Sequence, residues 1–151
     1  MGMDSHAGDG QPASGKFELR SHTADVAVEA TGDSISAVFG ATAEGLAAAH
    51  VDTLPEDGGS THEFSVTAES TSALLFDYLD RLIYLRDVES VLPVDNEARV
   101  TEENGEWQVE ARFRGVPLQS ITAREVKAAT YSEMDLSQQD GRWHAYVVLD
   151  V

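Results

Sequence analysis

Residues 70–86 read STSALLFDYLDRLIYLR and predict the longest helix of the chain. The hydroxyl groups at positions 70–72 can cap its amino end, because they accept hydrogen bonds from backbone N–H groups that the first turn leaves free. Apolar side chains recur at spacings of three and four residues and form one stripe: Leu75, Tyr78, Leu79, Leu82 and Leu85. Leu74 and Ile83 widen this stripe, so we expect the helix to lie against a β-sheet.

Two turn signals after this helix predict β-hairpins. Asn104-Gly105 and Asp140-Gly141 each lie between short apolar segments, and such dipeptides favour two-residue hairpin turns. The strands predicted in this half of the chain span about residues 98–102, 106–114, 126–132, 134–137 and 144–149.

A second helix is predicted upstream, from Asp33 as its N-cap to about residue 50. Gly40 and Gly45 inside it indicate close packing on another element, since a glycine costs about 1 kcal/mol relative to alanine within a helix. Further strands are predicted at residues 17–20, 26–30 and 63–68, with a polar bend at residues 21–25.

These elements predict a single α+β domain, a mostly antiparallel sheet packed with two main helices. The domain is expected to span residues 16–151. Residues 1–15 contain glycine, serine, aspartate and proline with almost no apolar side chains, which is typical of a disordered tail, here an acidic one.

The charge balance is strongly acidic. The 151 residues carry 27 acidic and 10 basic side chains, a net charge of −17. The acids are spread along a chain with clear apolar periodicity, which argues against disorder and against a polyanionic tail. Only Lys16 and Lys127 are lysines, and we interpret the composition as adaptation to a salt-rich cytosol. Without a basic stripe, direct nucleic-acid binding is not expected.

The sequence excludes several other classes of protein. It contains no cysteine, so disulfides, thiolate catalysis and zinc–thiolate sites are excluded. It has no apolar run long enough to span a membrane and no signal peptide, so we expect a cytoplasmic protein without membrane partners. It also lacks the common nucleotide-binding and nucleophile motifs.

Three places could carry chemistry. Asp25, in the polar bend with His22, could offer carboxylate oxygens to a hard cation. Residues in turns also commonly accept hydrogen bonds from backbone N–H groups. The bend alone favours this second, purely structural role for Asp25. Asp150 and the terminal carboxylate of Val151 are expected to lie close together, where they repel each other unless a cation or a cationic side chain separates them. The alternative is a strand that simply ends at the surface, as most chain termini do. Lys127 could pair structurally with Glu125 or another acid, which composition alone favours, or it could face these acids or a partner protein.

The chain resembles the archease family in four segments. Residues 22–25 (HTAD) match the family's opening motif, and residues 74–87 resemble its long apolar helix. Residues 125–131 (EVKAATY) match its near-terminal strand, and residues 147–151 (VVLDV) match its end. The order and spacing of these segments make the resemblance specific. Residues 116–124 depart from the family pattern, which has a longer loop there, so no site residue is assigned in that loop.

The resemblance implies a protein cofactor rather than an enzyme. Members of the family bind a divalent cation and activate an RtcB-type tRNA-splicing RNA ligase by promoting its guanylylation and multiple turnover. Carried over to this chain, the metal ligands are Asp25, Asp150 and the carboxylate of Val151, with calcium as the first candidate and manganese or magnesium as alternatives. His22 and Lys127 are the residues expected to contact the ligase.

Two other functions remain open at this point. A metal-dependent phosphoester hydrolase could use the same carboxylates with His22 as acid or base. It would act on phosphoesters without any partner. A holdase-like chaperone would instead show exposed apolar patches.

The dispersed charge leads to a prediction about salt. A net charge of −17 makes the compact state repel itself in dilute buffer, and molar salt shortens the screening length to about 3 Å. Thermal unfolding should therefore shift to markedly higher temperature between low and molar KCl. A melting temperature that is flat over this range would remove the salt-adaptation interpretation.

Overall fold

The computed structural model describes residues 15–22 and 25–151. The helices are α1 (Ile35–Ala48) and α2 (Thr71–Glu89), and Leu118–Ser120 form a short 3₁₀ turn. The strands are β1 (Gly15–His22), β2 (Asp25–Gly32), β3 (Ser60–Ala68), β4 (Val91–Glu103), β5 (Glu106–Pro117), β6 (Ala128–Gln139) and β7 (Arg142–Asp150). The predicted α+β class with two main helices is confirmed. The predicted tail lies outside the described residues apart from Gly15, and it stays a prediction.

The strands form two antiparallel sheets rather than the single sheet that the sequence suggested. One sheet has the order β1-β2-β7-β6 and the other β3-β5-β4, and every pairing is antiparallel. Both helices contact strands of both sheets, so they lie between the two layers. Neither helix of the described part of the chain has the length and hydropathy of a membrane span.

The apolar stripe of α2 is buried as predicted. Leu75, Tyr78, Leu79 and Leu82 are each no more than 1% exposed. The Tyr78 ring packs against Phe39 of α1 and Phe64 of β3, with ring centroids 5.8 and 5.9 Å apart. Removing such side chains from water contributes roughly 2–3 kcal/mol each. The stripe therefore joins both helices and the three-stranded sheet into one core.

The amino end of α1 differs from the prediction. Ser34, not Asp33, is the N-cap, since its Oγ accepts a 3.0 Å hydrogen bond from the Ala37 N–H. The Asp33 carboxylate instead accepts a hydrogen bond from Arg142 at 2.8 Å. The predicted close packing is confirmed at Gly45, where a Cβ would lie 2.5 Å from Val28 Cγ1.

Three strand predictions also need correction. The strands predicted at residues 126–132 and 134–137 form one strand, β6, whose register with β7 shifts between Thr130 and Asp135. Strand β4 begins at Val91, before its predicted start, although it contains Pro93. Both flanks of the predicted polar bend belong to strands, since His22 lies in β1 and is paired with Asp25 of β2.

A buried polar cluster joins the carboxyl ends of both helices. His50 follows α1 and is 2% exposed, and Arg86 lies in the last turn of α2 and is 7% exposed. Arg86 Nη1 lies 2.8 Å from His50 Nε2 and 2.5 Å from the Val126 carbonyl oxygen. His50 Nδ1 lies 2.9 Å from the Leu46 carbonyl oxygen. Because arginine only donates, Nε2 must accept and the neutral ring must donate through Nδ1.

This cluster keeps His50 neutral. Burial is the main cause that lowers the pKa of His50 from 6.5 to about 4, and the charge of Arg86 lowers it further. Protonation would also abolish the acceptor at Nε2 and place two cations side by side. The fold therefore tolerates a charged His50 poorly.

The low pKa of His50 leads to a prediction about acid. Between about pH 4 and pH 6.5 the unfolded chain holds a proton on His50 that the folded chain does not hold, so the free energy of unfolding rises with pH in that window. We expect this group to cost the fold up to roughly 3 kcal/mol as the pH falls through the window.

His50→Gln isolates this contribution, because glutamine does not titrate but can still accept from Arg86. Urea unfolding at constant molar KCl should show that the stability advantage of the wild type over His50→Gln shrinks as the pH falls. Parallel stability curves for the two proteins would contradict the prediction.

Candidate metal-binding site

The sheet register places Asp25 and Asp150 beside each other. Strands β2 and β7 pair in antiparallel order up to Val26 and Leu149, so the next position on each strand holds Asp25 and Asp150. Leu149 and Val26 pack into the core. Because side chains alternate along a strand, both aspartates project from the outer face of the sheet. Residues 125 positions apart in the chain are thus cross-strand neighbours.

His22 joins the same row. Its backbone is paired with that of Asp25 in the β1–β2 register, so His22, Asp25 and Asp150 occupy one row across three adjacent strands. The His22 side chain and residues 23–24 lie outside the described residues. The predicted ligase contact of His22 therefore rests on this backbone position and stays a prediction.

Lys127 and Val151 complete this end of the sheet. The Lys127 N–H donates a 2.7 Å hydrogen bond to the Asp150 carbonyl oxygen, and Val151 follows Asp150 directly and is 38% exposed. Lys127 was predicted inside a strand, but β6 begins one residue later, at Ala128. Four of the five predicted site residues are thus adjacent, and the fifth, His22, lies in the same row.

The Lys127 side chain is exposed. No residue within 15–22 and 25–151 forms an ion pair or hydrogen bond with its ammonium group, so the alternative of a structural pair with Glu125 is not seen. The only other lysine, Lys16, lies at the far end of β1, opposite Thr31. Lys127 is therefore the lysine available at the row of aspartates.

A neighbouring carboxylate on the same face is neutralised within the fold, whereas Asp150 is not. Glu29 of β2 accepts hydrogen bonds from His144 at 3.0 Å and from Arg20 at 2.9 Å. The contact with His144, followed by that with Arg20, lowers the pKa of Glu29. In the described part of the chain, no side chain pairs with the Asp150 carboxylate. Directly opposed carboxylates destabilise a sheet, and a cation held at Asp150 would offset that repulsion.

The donor set fits a hard divalent cation if the terminal carboxylate takes part. Within the described residues, no group of three or more histidine, aspartate or glutamate side chains is placed to hold a metal ion. Asp25 and Asp150 are neighbours on adjacent strands, and the predicted third ligand, the α-carboxylate of Val151, belongs to the residue that follows Asp150. An all-oxygen set favours calcium, magnesium or manganese over zinc or copper.

Sequence reasoning missed Arg86 and His50, which hold the segment that leads to Lys127. Arg86 lies four residues after Leu82, and His50 lies four residues after Leu46. A charged or titratable residue that continues an apolar stripe at helical spacing is the signal that could have identified both. Such a residue is buried only when a partner satisfies it.

Comparisons with known proteins agree with this fold. The family model described as the archease protein family matches residues 17–151. The archease of Methanosarcina mazei is 32% identical over 145 residues, which is 93% of this chain and 99% of that protein.

Solved structures also resemble the chain. The solution structure of Methanobacterium thermoautotrophicum protein 1598 matches with a TM-score of 0.79 and 27% identity, covering 89% of this chain and 98% of that one. A Thermotoga maritima structure described as an archease and possible chaperone shares the fold, with a TM-score of 0.55 and 23% identity over 86% of this chain and 93% of that one.

Proposed function

The chain belongs to the archease family, and we propose that it is a metal-dependent protein activator of an RtcB-type tRNA-splicing RNA ligase. In this role it promotes guanylylation of the ligase and multiple turnover, and it has no catalytic residue of its own. The observation that carries the proposal is the convergence of Asp25, Asp150, Val151 and Lys127 at one end of the four-stranded sheet.

The metal-binding part of the proposal assigns the ligands to three carboxylates. Asp25, Asp150 and the α-carboxylate of Val151 would hold the cation, with calcium as the first candidate and manganese or magnesium as alternatives. When bound, the cation would neutralise the carboxylate of Asp150, with which no side chain of the described residues pairs.

The ligase-contacting part of the proposal concerns Lys127 and His22. Lys127 is exposed and its backbone is hydrogen-bonded to that of Asp150, and its ammonium group suits a carboxylate or phosphate group in the ligase. His22 lies at the other end of the row and would contact the same partner.

The acidic charge of the chain supports a protein partner over RNA. A net charge of −17 opposes binding to a phosphate backbone, which draws its affinity mainly from lysine and arginine. Several arginines are engaged with acids, including Arg20 with Glu29 and Arg114 with Asp95. A protein that acts on an RNA enzyme needs no basic stripe of its own.

The two alternative functions have less support. Among the described residues, the exposed large apolar side chains lie on different elements: Leu19 on β1, Tyr84 and Val88 on α2, Tyr131 on β6, and Val151. A holdase would need a larger continuous patch. A phosphoester hydrolase would act without the ligase, so incubation of the purified protein with metal and phosphoester substrates distinguishes it from an activator.

The terminal carboxylate provides the sharpest test of the metal site. A few glycines added after Val151 replace its charge with a neutral amide at the site. Attraction between a carboxylate and a divalent ion is worth several kcal/mol at an effective dielectric of about 20, so calcium affinity measured by calorimetry should fall at least about tenfold. The melting curve without metal should stay nearly unchanged.

Two controls accompany this test. The same glycines before Met1 should leave affinity unchanged, and so should Glu29→Gln, which removes a β2 carboxylate that Arg20 and His144 already neutralise. Asp25→Asn should weaken binding as the C-terminal extension does. Wild-type affinity in both the extended protein and Asp25→Asn would exclude the proposed ligands.

The exposed ammonium group provides the test of ligase contact. Lys127→Ala should fold normally, because this side chain has no partner among the described residues. Ligase guanylylation in its presence should be roughly tenfold slower, the loss expected for one charge-assisted hydrogen bond. Lys16→Ala, at the opposite end of the sheet, is the matched control. A well-folded Lys127→Ala protein that activates the ligase fully would rule out the role.

A further inference from the structure

The segment that leads to Lys127 has no regular secondary structure. Residues 121–127 connect the 3₁₀ turn to β6, so their position depends on individual hydrogen bonds. The Arg124 N–H donates to the His50 carbonyl oxygen at 2.7 Å, and the Lys127 N–H donates to the Asp150 carbonyl oxygen at 2.7 Å. Between them, the Val126 carbonyl oxygen accepts from Arg86 at 2.5 Å.

Arg86 links this segment to the carboxyl end of α2, while Arg124 links it to the carboxyl end of α1. The guanidinium group of Arg86 is buried and donates to Val126, to His50, and to Asp87 at 2.9 and 2.8 Å. The Asp87 side chain is exposed, so it balances the charge from the surface side. A buried guanidinium that is hydrogen-bonded on several sides has little freedom to move. Its hydrogen bond to the Val126 carbonyl oxygen therefore restricts the position of Val126 as well.

Val126 itself is fully buried, and Lys127 is the next residue. Consecutive Cα atoms are about 3.8 Å apart, so a shift of Val126 moves the Lys127 N–H relative to the Asp150 carbonyl. Asp150 precedes Val151, whose carboxylate is a proposed ligand. The position of Val126 therefore affects the ammonium group and the chain terminus together.

We propose that Arg86, held by neutral His50, is a positioning residue for the Lys127–Asp150 end of the sheet. It acts through the Val126 carbonyl and touches neither the metal nor the ligase. The consequence for ligase activation rests on the proposed function, whereas the consequence for Lys127 itself does not. A purely structural role predicts a different result, since it would lower stability everywhere without a selective effect at Lys127.

Amide hydrogen exchange in the isolated full-length protein tests the local claim. Arg86→Met keeps a long side chain but removes every donor to Val126 and His50. We expect the Lys127 amide to exchange at least tenfold faster in this variant. The reference is the amide of Ala145, which lies in the middle of β7 and is paired on both sides. Its exchange should change only as much as the free energy of global unfolding changes. Arg86→Lys retains the charge with fewer donors and should give an intermediate rate.

Leu75→Ala is the matched control. Leu75 is a fully buried residue of the same helix, and its truncation destabilises the core without removing a hydrogen bond to the segment. It should not accelerate exchange at Lys127 beyond the change at Ala145. Unchanged exchange at Lys127 in Arg86→Met would overturn the inference. If Arg86→Met does not fold, unchanged exchange at Lys127 in Arg86→Lys would overturn it instead.

Ligase guanylylation tests the functional claim at a temperature where all variants are folded. Arg86→Met should activate the ligase several-fold less than Leu75→Ala does. Equal activation by these two variants would overturn the functional half of the inference. A wild-type protein that does not activate the ligase at all would instead refute the proposed function, and the exchange rates alone would then decide the role of Arg86.

Discussion

The pairing of β7 with two neighbours is the constraint on which the rest of the structure depends. β7 is the last strand in the chain, yet it lies between β2 and β6 in the four-stranded sheet. The four-stranded sheet is therefore continuous only when β7 lies between two strands that precede it in the sequence. This pairing joins β2 to β6, closes one wall of the core, and brings Asp150 beside Asp25 at the edge of that wall.

The ionic contacts on the outer face of this sheet follow from the same pairing. Glu29, Arg20 and His144 come from β2, β1 and β7, and their side chains neutralise one another across three strands. Asp25 and Asp150 lie two rows away on the same face, and no side chain of the described residues pairs with the Asp150 carboxylate. In a chain of net charge −17, the cation that we propose at this end of the sheet would supply such compensation. The same strand pairing thus places a neutralised cluster and the proposed metal ligands on one face.

The helices contribute more than apolar surface. Their stripes fill the space between the two sheets, and at their carboxyl ends the stripes continue as His50 and Arg86, which contact each other. A buried arginine is costly unless every donor finds an acceptor. Here the acceptors include the main chain of the segment before β6. The core is thereby connected to the end of the sheet where the candidate ligands lie.

Local patterns in the sequence determined much of this protein: the stripe of α2, both dipeptide hairpin turns, and the α+β class follow from spacing and turn chemistry that act over a few residues. The motifs around Asp25, Lys127 and Asp150 also identified the family. The division into two sheets, the cap at Ser34, the continuity of β6 and the burial of His50 and Arg86 were decided only by the tertiary structure. Each of these depends on which distant segment supplies the partner, and a register or a buried hydrogen bond between residues far apart in the chain leaves little trace in local periodicity.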